Sequence, residues 1–124
     1  MIENVVVKKM PGFLQVIMDG EFSVDSAIKV IDLMIEKSRE HNEKRILIDI
    51  RNMTGRITVM HRIRIGMYAA SLTRQKLATA LICREDQMLP DKFLENYLVN
   101  RGVRVRVFPN LESGEQWLSK IHPQ

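Results

Sequence analysis

Residues 93–121, FLENYLVNRGVRVRVFPNLESGEQWLSKI, decide the fold class of this chain. Gly102 follows a helical pattern and can adopt the left-handed conformation that ends a helix. Beyond it, valines alternate with arginines over residues 103–107, which is the period of a β-strand. Asn110 then suits the N-cap of a last helix that carries Trp117. A helix, a strand and a helix in this order predict an α/β fold.

The rest of the chain alternates strands and helices in the same way. Pro11-Gly12 lies between two short apolar runs and predicts a hairpin, and Ser23 is a good N-cap for the first helix. The predicted strands cover residues 5–9, 13–18, 45–50, 77–83 and 103–107, and the predicted helices cover 24–41, about 58–72, about 90–101 and a segment beginning at 110. Trp117 is expected to anchor the last helix beside Phe108 or against the first helix.

The order β-β-α-β-α-β-α-β-α predicts one mixed, mostly parallel sheet with an antiparallel N-terminal strand at its edge. The chain has 124 residues and no linker or repeat, so we expect a single domain over 1–124. The one cysteine, Cys83, rules out an internal disulfide. The N-terminus lacks the order of a signal peptide and no apolar run is long enough for a transmembrane segment, so a cytoplasmic location is expected.

Five short motifs together resemble a known family. They are Gly12-Phe13, Leu47-Ile48-Asp49-Ile50, Glu95-Asn96, the run NRGVRVRVF at 100–108, and Glu115-Gln116-Trp117-Leu118. The pattern resembles the SpoIIAA-like group of STAS-type domains, which are related in fold to anti-sigma-factor antagonists and have been connected with the lipid-binding CRAL-TRIO fold. The resemblance implies a SpoIIAA-like fold and a non-catalytic binding role.

One departure from that family concerns its phosphorylated serine. Anti-sigma-factor antagonists carry Asp-Ser-Ser-Gly at the start of the helix after the third strand, whereas residues 55–61 here read GRITVMH. Thr58 lies near the expected place, and we interpret it as the N-cap of the second helix. The resemblance therefore does not bring a serine phosphorylation switch to this chain.

Charge is distributed unevenly, although the net charge is only +4. No acidic residue occurs between Asp49 and Glu85, and that window holds seven basic residues: Arg51, Arg56, Arg62, Arg64, Arg74, Lys76 and Arg84. Such asymmetry can mark an anionic partner, or it can be a solvated basic surface. Tyr68 is the one aromatic residue in the window, so there is no platform for stacking bases and no specific binding of nucleic acid is predicted.

Residues that could carry catalysis are scattered. The three histidines, His41, His61 and His122, lack metal-site spacing, and no GxSxG, Walker or GxGxxG motif occurs. We therefore predict no catalytic residues, metal or cofactor, and no enzyme activity. Asp49 ends an apolar strand beside Arg51 and is interpreted as a partner of that arginine or of backbone N–H groups in the following turn.

The second helix carries two apolar stripes instead of one. One stripe, assigned to the core, is Val59, Met60, Ile63, Met67 and Ala70. The other, Ile65, Tyr68 and Leu72, is edged by Arg62 and Arg64 and is predicted to lie away from the core. It is interpreted as a subunit interface or a ligand groove, with cover by a neighbouring part of the chain as the alternative. A homodimer or larger oligomer is predicted, which Tyr68→Glu should convert to a folded monomer.

These observations predict a non-catalytic interaction or regulatory module of STAS type that self-associates and can bind a protein partner. The alternative is a binder of a small anionic or lipid-like ligand near the second helix and the 51–56 loop. The candidate residues for ligand or partner binding are Asp49, Arg51, Arg56, Thr58, His61, Arg62, Arg64, Ile65, Tyr68 and Leu72.

Overall fold

The architecture comes from a computed structural model, which describes residues 4–73, 77–88, 96, 99–100 and 104–121. The strands are β1 (Val5–Met10), β2 (Phe13–Glu21), β3 (Arg45–Thr54), β4 (Ala78–Ile82) and β5 (Arg104–Phe108). The helices are α1 (Val24–His41), α2 (Val59–Thr73) and α3 (Leu111–Ser119), with a short 3-10 helix at Glu85–Gln87. The helix predicted over 90–101 lies outside the described residues, except for helical backbone at Asn96 and Val99.

The five strands form one sheet in the order β1-β2-β3-β4-β5. β1 pairs antiparallel with β2, and each later pair is parallel. This confirms the predicted mixed, mostly parallel sheet with an antiparallel edge. Right-handed crossovers between sequential neighbours put α1 and α2 on the same face of the sheet. We call this the α1–α2 face, and the opposite one, which α3 covers, the α3 face.

Two helix caps and one glycine turn lie where the sequence predicts them. Gly12, with φ of +87°, makes the hairpin turn between β1 and β2. The Ser23 hydroxyl accepts a hydrogen bond from the N–H of Ser26 at 3.0 Å and caps α1. Asn110 caps α3 through the N–H of Ser113 at 2.8 Å. These local choices fix where the helices start before any tertiary packing.

β3 is longer than predicted, because it runs to Thr54 and not to Ile50. Ile17 pairs with Asp49 but Asp19 pairs with Asn52, so β3 carries one extra residue opposite β2. This β-bulge lets the pairing continue past the polar residues that suggested a loop. Most of the expected 51–56 loop is therefore strand.

The α3 face is closely packed. Leu47, Ala80, Ile82 and Leu118 are buried there. Gly114 of α3 lies so near the sheet that an added Cβ would be 2.6 Å from Cδ1 of Ile82. Small residues on both elements allow this approach, and the dispersion contacts of a close-packed interior stabilise it.

Trp117 lies at the rim of the α3 face, half-buried against Phe108. The two ring centroids are 5.8 Å apart and the planes are inclined by 47°, a geometry that favours aromatic attraction. The predicted position of Trp117 beside Phe108 is confirmed, and its anchoring of the last helix stays a prediction.

The α1–α2 face has a core of its own under α1. Val30 and Met34 of the helix pack on Val16, Met18 and Ile46 of β2 and β3. The bulge in β3 turns Met53 onto this same face. Residues of α1 thus cover one side of this face, and α2 lies over the next strands.

Candidate functional site

A cavity of about 690 Å³ lies between the sheet and helices α1 and α2. Ile48 and Ile50 form part of its floor, and Val30 of α1 and Ile65 and Ala69 of α2 form part of its walls. Its volume is within the roughly 300–1,000 Å³ of pockets that bury a small ligand. The site is apolar over most of its surface.

The cavity is a cleft that opens to solvent and not a closed void. Water, a ligand or other protein side chains can therefore occupy it.

Among the described residues that line the cavity, Arg62 is the one cationic side chain. Its Nε is buried and has no hydrogen-bond partner. No ion pair among the described residues includes it. Burial lowers the pKa of the guanidinium, because charge is disfavoured away from water, and Cys83 has an opposing effect that does not outweigh it. Arg62 is thus a half-buried cation with unused hydrogen-bonding capacity.

The orientation of α2 differs from the sequence prediction. Ile65, which was assigned to the outward stripe, lines the cavity. Met60 and Met67, assigned to the core, are 69% and 42% exposed. Either stripe of α2 is apolar enough to be the buried one. The inner side of the helix has small side chains, because it carries the buried Gly66 and, beside the cavity, Ala69. The prediction that Ile65, Tyr68 and Leu72 form an outward-facing row was therefore wrong, because only Leu72 of the three is exposed.

Tyr68 lies at the side of α2 that faces α1. Its hydroxyl donates to the Asp32 carboxylate at 2.6 Å. This bond raises the pKa of Tyr68, and burial and the charge of Asp32 add to the effect. Tyr68 thus joins two helices, so Tyr68→Glu would set two carboxylates together and is not a clean test of an interface.

Asp49 and Arg51 form a bidentate pair at the end of the regular part of β3. Asp49 accepts from the Nε and Nη2 of Arg51 at 3.0 and 2.9 Å and from its backbone N–H at 3.1 Å. Burial raises the pKa of the Asp49 carboxyl, but the bonds from Arg51 outweigh this and hold the pKa below 3.8. The interpretation of Asp49 as a partner of arginine and backbone is confirmed, and both groups are used structurally.

Two residues that were not among the candidates hold the strand ends together. The buried Gln87 donates to the carbonyl of Ile50 at 2.9 Å and accepts from the N–H of Arg84 at 2.8 Å. Arg84 Nη1 donates to the carbonyl oxygens of Arg51 and Met53. Gln87 is far from β3 in sequence, so no local signal could have revealed this role.

Thr58 and His61 cap α2 reciprocally. The Thr58 hydroxyl accepts from the N–H of His61 at 3.1 Å, and His61 Nδ1 accepts from the N–H of Thr58 at 3.3 Å. This is the arrangement of a capping box, with histidine in place of the usual glutamate or glutamine. The His61 ring also lies 5.5 Å from that of Phe22. The interpretation of Thr58 as an N-cap is confirmed.

The ten candidate residues therefore do not form one site. Arg62 and Ile65 share the cavity, Asp49 and Arg51 form their own pair, and Arg56 and Arg64 are exposed. Among the described residues, no group of three or more His, Cys, Asp or Glu side chains could hold a metal ion. The described helices include none with the length and apolar character needed to cross a membrane.

Comparison with known proteins supports the fold. No protein-family model matches the chain, and no curated protein matches it. The crystal structure of an anti-sigma factor antagonist from Mycobacterium paratuberculosis is similar, with a TM-score of 0.60 and 14% sequence identity. The match covers 94% of this chain and 93% of that one. At this identity the likeness establishes the fold, which is of the STAS type, as the sequence motifs imply.

Proposed function

We propose that this chain is a non-catalytic STAS-type interaction module, acting as one domain, that self-associates through the outer face of α2. The observation that carries the proposal is the distribution of exposed apolar side chains. Of the six large exposed hydrophobic residues in the described part of the chain, four are on α2: Val59, Met60, Met67 and Leu72. Such concentration on one surface helix is typical of an interaction site.

The outer face of α2 is defined by Met60, Arg64, Met67 and Ser71, which follow helical spacing and are all exposed. A second copy is the partner that its surroundings fit best. α1 lies beside it and exposes Asp25, Asp32 and Glu36, whereas α2 contains no acidic residue. A two-fold axis between such faces can bring the arginine of one copy near the carboxylates of the other.

The similar protein from Mycobacterium paratuberculosis is described as an anti-sigma factor antagonist. We carry over the class of regulatory protein binding and no particular partner. Because residues 55–61 contain no serine and Thr58 is used as an N-cap, the proposed module works without a phosphoserine switch.

Analytical ultracentrifugation tests self-association. The wild-type chain should sediment as a dimer or larger oligomer, and Met60→Glu with Met67→Glu should yield a folded monomer because both side chains are already exposed. Val6→Glu, at an exposed position on β1, is the matched control and should leave the oligomer intact. A wild-type chain that remains monomeric at high concentration would contradict the proposal.

A second candidate function is the binding of a small anionic or lipid-like ligand, and the cavity beside Arg62 favours it. Protein purified without additives can be analysed by native mass spectrometry. A bound mass that disappears under denaturing conditions would support ligand binding. This function and self-association use opposite sides of α2, so one can fail without the other.

A further inference from the structure

We propose that the cavity of the α1–α2 face binds a single-chain anionic amphiphile, with the headgroup at Arg62 and the chain along β3 between α1 and α2. This inference rests on the second function proposed above and specifies its ligand class. Three features carry it, namely the position of the charge, the character of the walls and the sign of the neighbouring groups.

The position of the charge comes first. Arg62 lies one turn into α2, where its backbone N–H donates to the backbone carbonyl of Thr58 at 3.1 Å. Its Nε is buried without an acceptor, although buried donors in folded proteins are nearly always paired. A carboxylate or phosphate group that bonds the guanidinium from the cavity side would offset the burial of this cation.

The walls are suited to an alkyl chain. Apart from Arg62, the described lining contains few polar residues, namely Thr79, Glu85 and Gln87. Gln87 is already bonded to Ile50 and Arg84. Four methionines, Met18, Met34, Met53 and Met88, also line the cavity. Methionine is flexible and polarizable and adapts to ligands of varied shape, so these walls can follow a chain of many conformers.

The sign of the neighbouring groups favours an anion. Glu85 is the one acidic side chain among the described lining residues, and it is exposed to solvent. Arg62 Nε, in contrast, is removed from solvent. The desolvated charge of the cavity is therefore positive, and a cationic or neutral headgroup would leave it unmatched.

The experiment uses the full chain after bound lipid has been removed. The protein is loaded with the probe 11-(dansylamino)undecanoic acid, and its displacement by palmitate, hexadecyl phosphate and hexadecanol is measured. The two anions should displace the probe. Arg62→Met should weaken the binding of both anions by about ten- to a hundredfold, as expected for the loss of a charged hydrogen bond. Displacement by hexadecanol should change less than about threefold, since the apolar walls remain. A preference for palmitate or for hexadecyl phosphate tells a free carboxylate ligand from a phosphate one.

Two further variants control for folding and for general charge. Arg39→Met removes an exposed arginine in the last turn of α1, outside both the cavity lining and the outer face of α2, and should leave every amphiphile affinity unchanged. Arg62→Lys keeps the positive charge and should retain most of the preference for the anions. Circular dichroism spectra of all variants should match that of the wild type.

The outcomes separate this inference from the function on which it rests. If the three amphiphiles bind equally and Arg62→Met changes nothing, the site takes apolar ligands and the headgroup assignment is overturned. If none binds, because the protein's own side chains or water fill the cavity, both this inference and the ligand-binding function fail.

Discussion

The two faces of the sheet meet their helices in different ways. On the α3 face, Gly114 lets the helix approach until no space remains for a Cβ, and Leu118 is only 1% exposed. On the α1–α2 face, α2 stands over a cavity of about 690 Å³. The charged residues differ as well, because Asp49 is paired with Arg51 whereas Arg62 Nε is unpaired.

Alternation along β3 assigns Asp49 to the α3 face together with Leu47, and Ile48 and Ile50 to the other face. One strand thus contributes to a filled core on one side and to a cavity on the other. The difference teaches that packing density in a small α/β domain can be set separately for each layer. The closed face supplies stability, and the open face has room for a ligand.

Leu118→Ala should have the largest effect, because it removes a fully buried side chain from the closed face. A loss of about 3 kcal/mol in the free energy of unfolding is expected, since a rigid surrounding collapses little into the cavity. Chemical denaturation measures it, with Ser119→Ala at the exposed neighbouring position as control. A loss of less than about 1 kcal/mol would mean that the α3 face is not closely packed.

Ala80→Leu and Ala69→Leu add the same atoms to the two faces. Ala80 is fully buried beneath Gly114, so overpacking should cost about 2 kcal/mol. Ala69 lines the cavity, where a larger side chain has space and should leave stability unchanged or raise it by about 0.5 kcal/mol. Equal losses in the two variants would contradict the contrast between the faces.

Asp49→Asn tests the charged pair of the closed face through its dependence on pH. The folded pKa of Asp49 lies below 3.8, so its ionised form stabilises the fold above that pH, and the contribution is lost as the pH falls through the folded pKa. At pH 7 the variant should be less stable by about 1.5 kcal/mol, given that Arg51 is partly exposed. Denaturation series at several pH values should show the two proteins converging below pH 3.8. A constant difference over the whole range would show that the charge is not responsible.

Among the destabilising substitutions, Thr58→Ala should have the smallest effect, about 1 kcal/mol, because it removes one cap of α2. Amide hydrogen exchange should accelerate in α2 and not in α3, since the stability of α2, the helix over the cavity, depends more on the hydrogen bonds that cap its ends. His61→Gln is the conservative partner, and it should preserve most protection because glutamine also serves in a capping box. If α2 and α3 lose protection together in Thr58→Ala, the faces do not unfold independently.

The sequence by itself determined every feature that depends on neighbours along the chain. The caps at Ser23, Thr58 and Asn110 and the turn at Gly12 follow from local hydrogen bonding and backbone sterics. The strand and helix order, and with it the mixed sheet, follows from hydrophobic period and the handedness of crossovers. The bond between Asp49 and Arg51 was also predictable, because the two residues are only two positions apart.

Only the tertiary structure decided which stripe of α2 is buried. Val59, Met60 and Met67 are as hydrophobic as Ile65 and Ala69, so periodicity gave two solutions, and packing against α1 and the sheet selected one. The same holds for the bulge in β3 and for Gln87 of the 3-10 helix, whose partner Ile50 lies on β3, 37 residues earlier in the chain. Burial, pairing across the sheet and cavity volume depend on residues that are distant in sequence. Arg62 and Ile65 were among the ten sequence candidates, but only the fold set these two together beside a cavity.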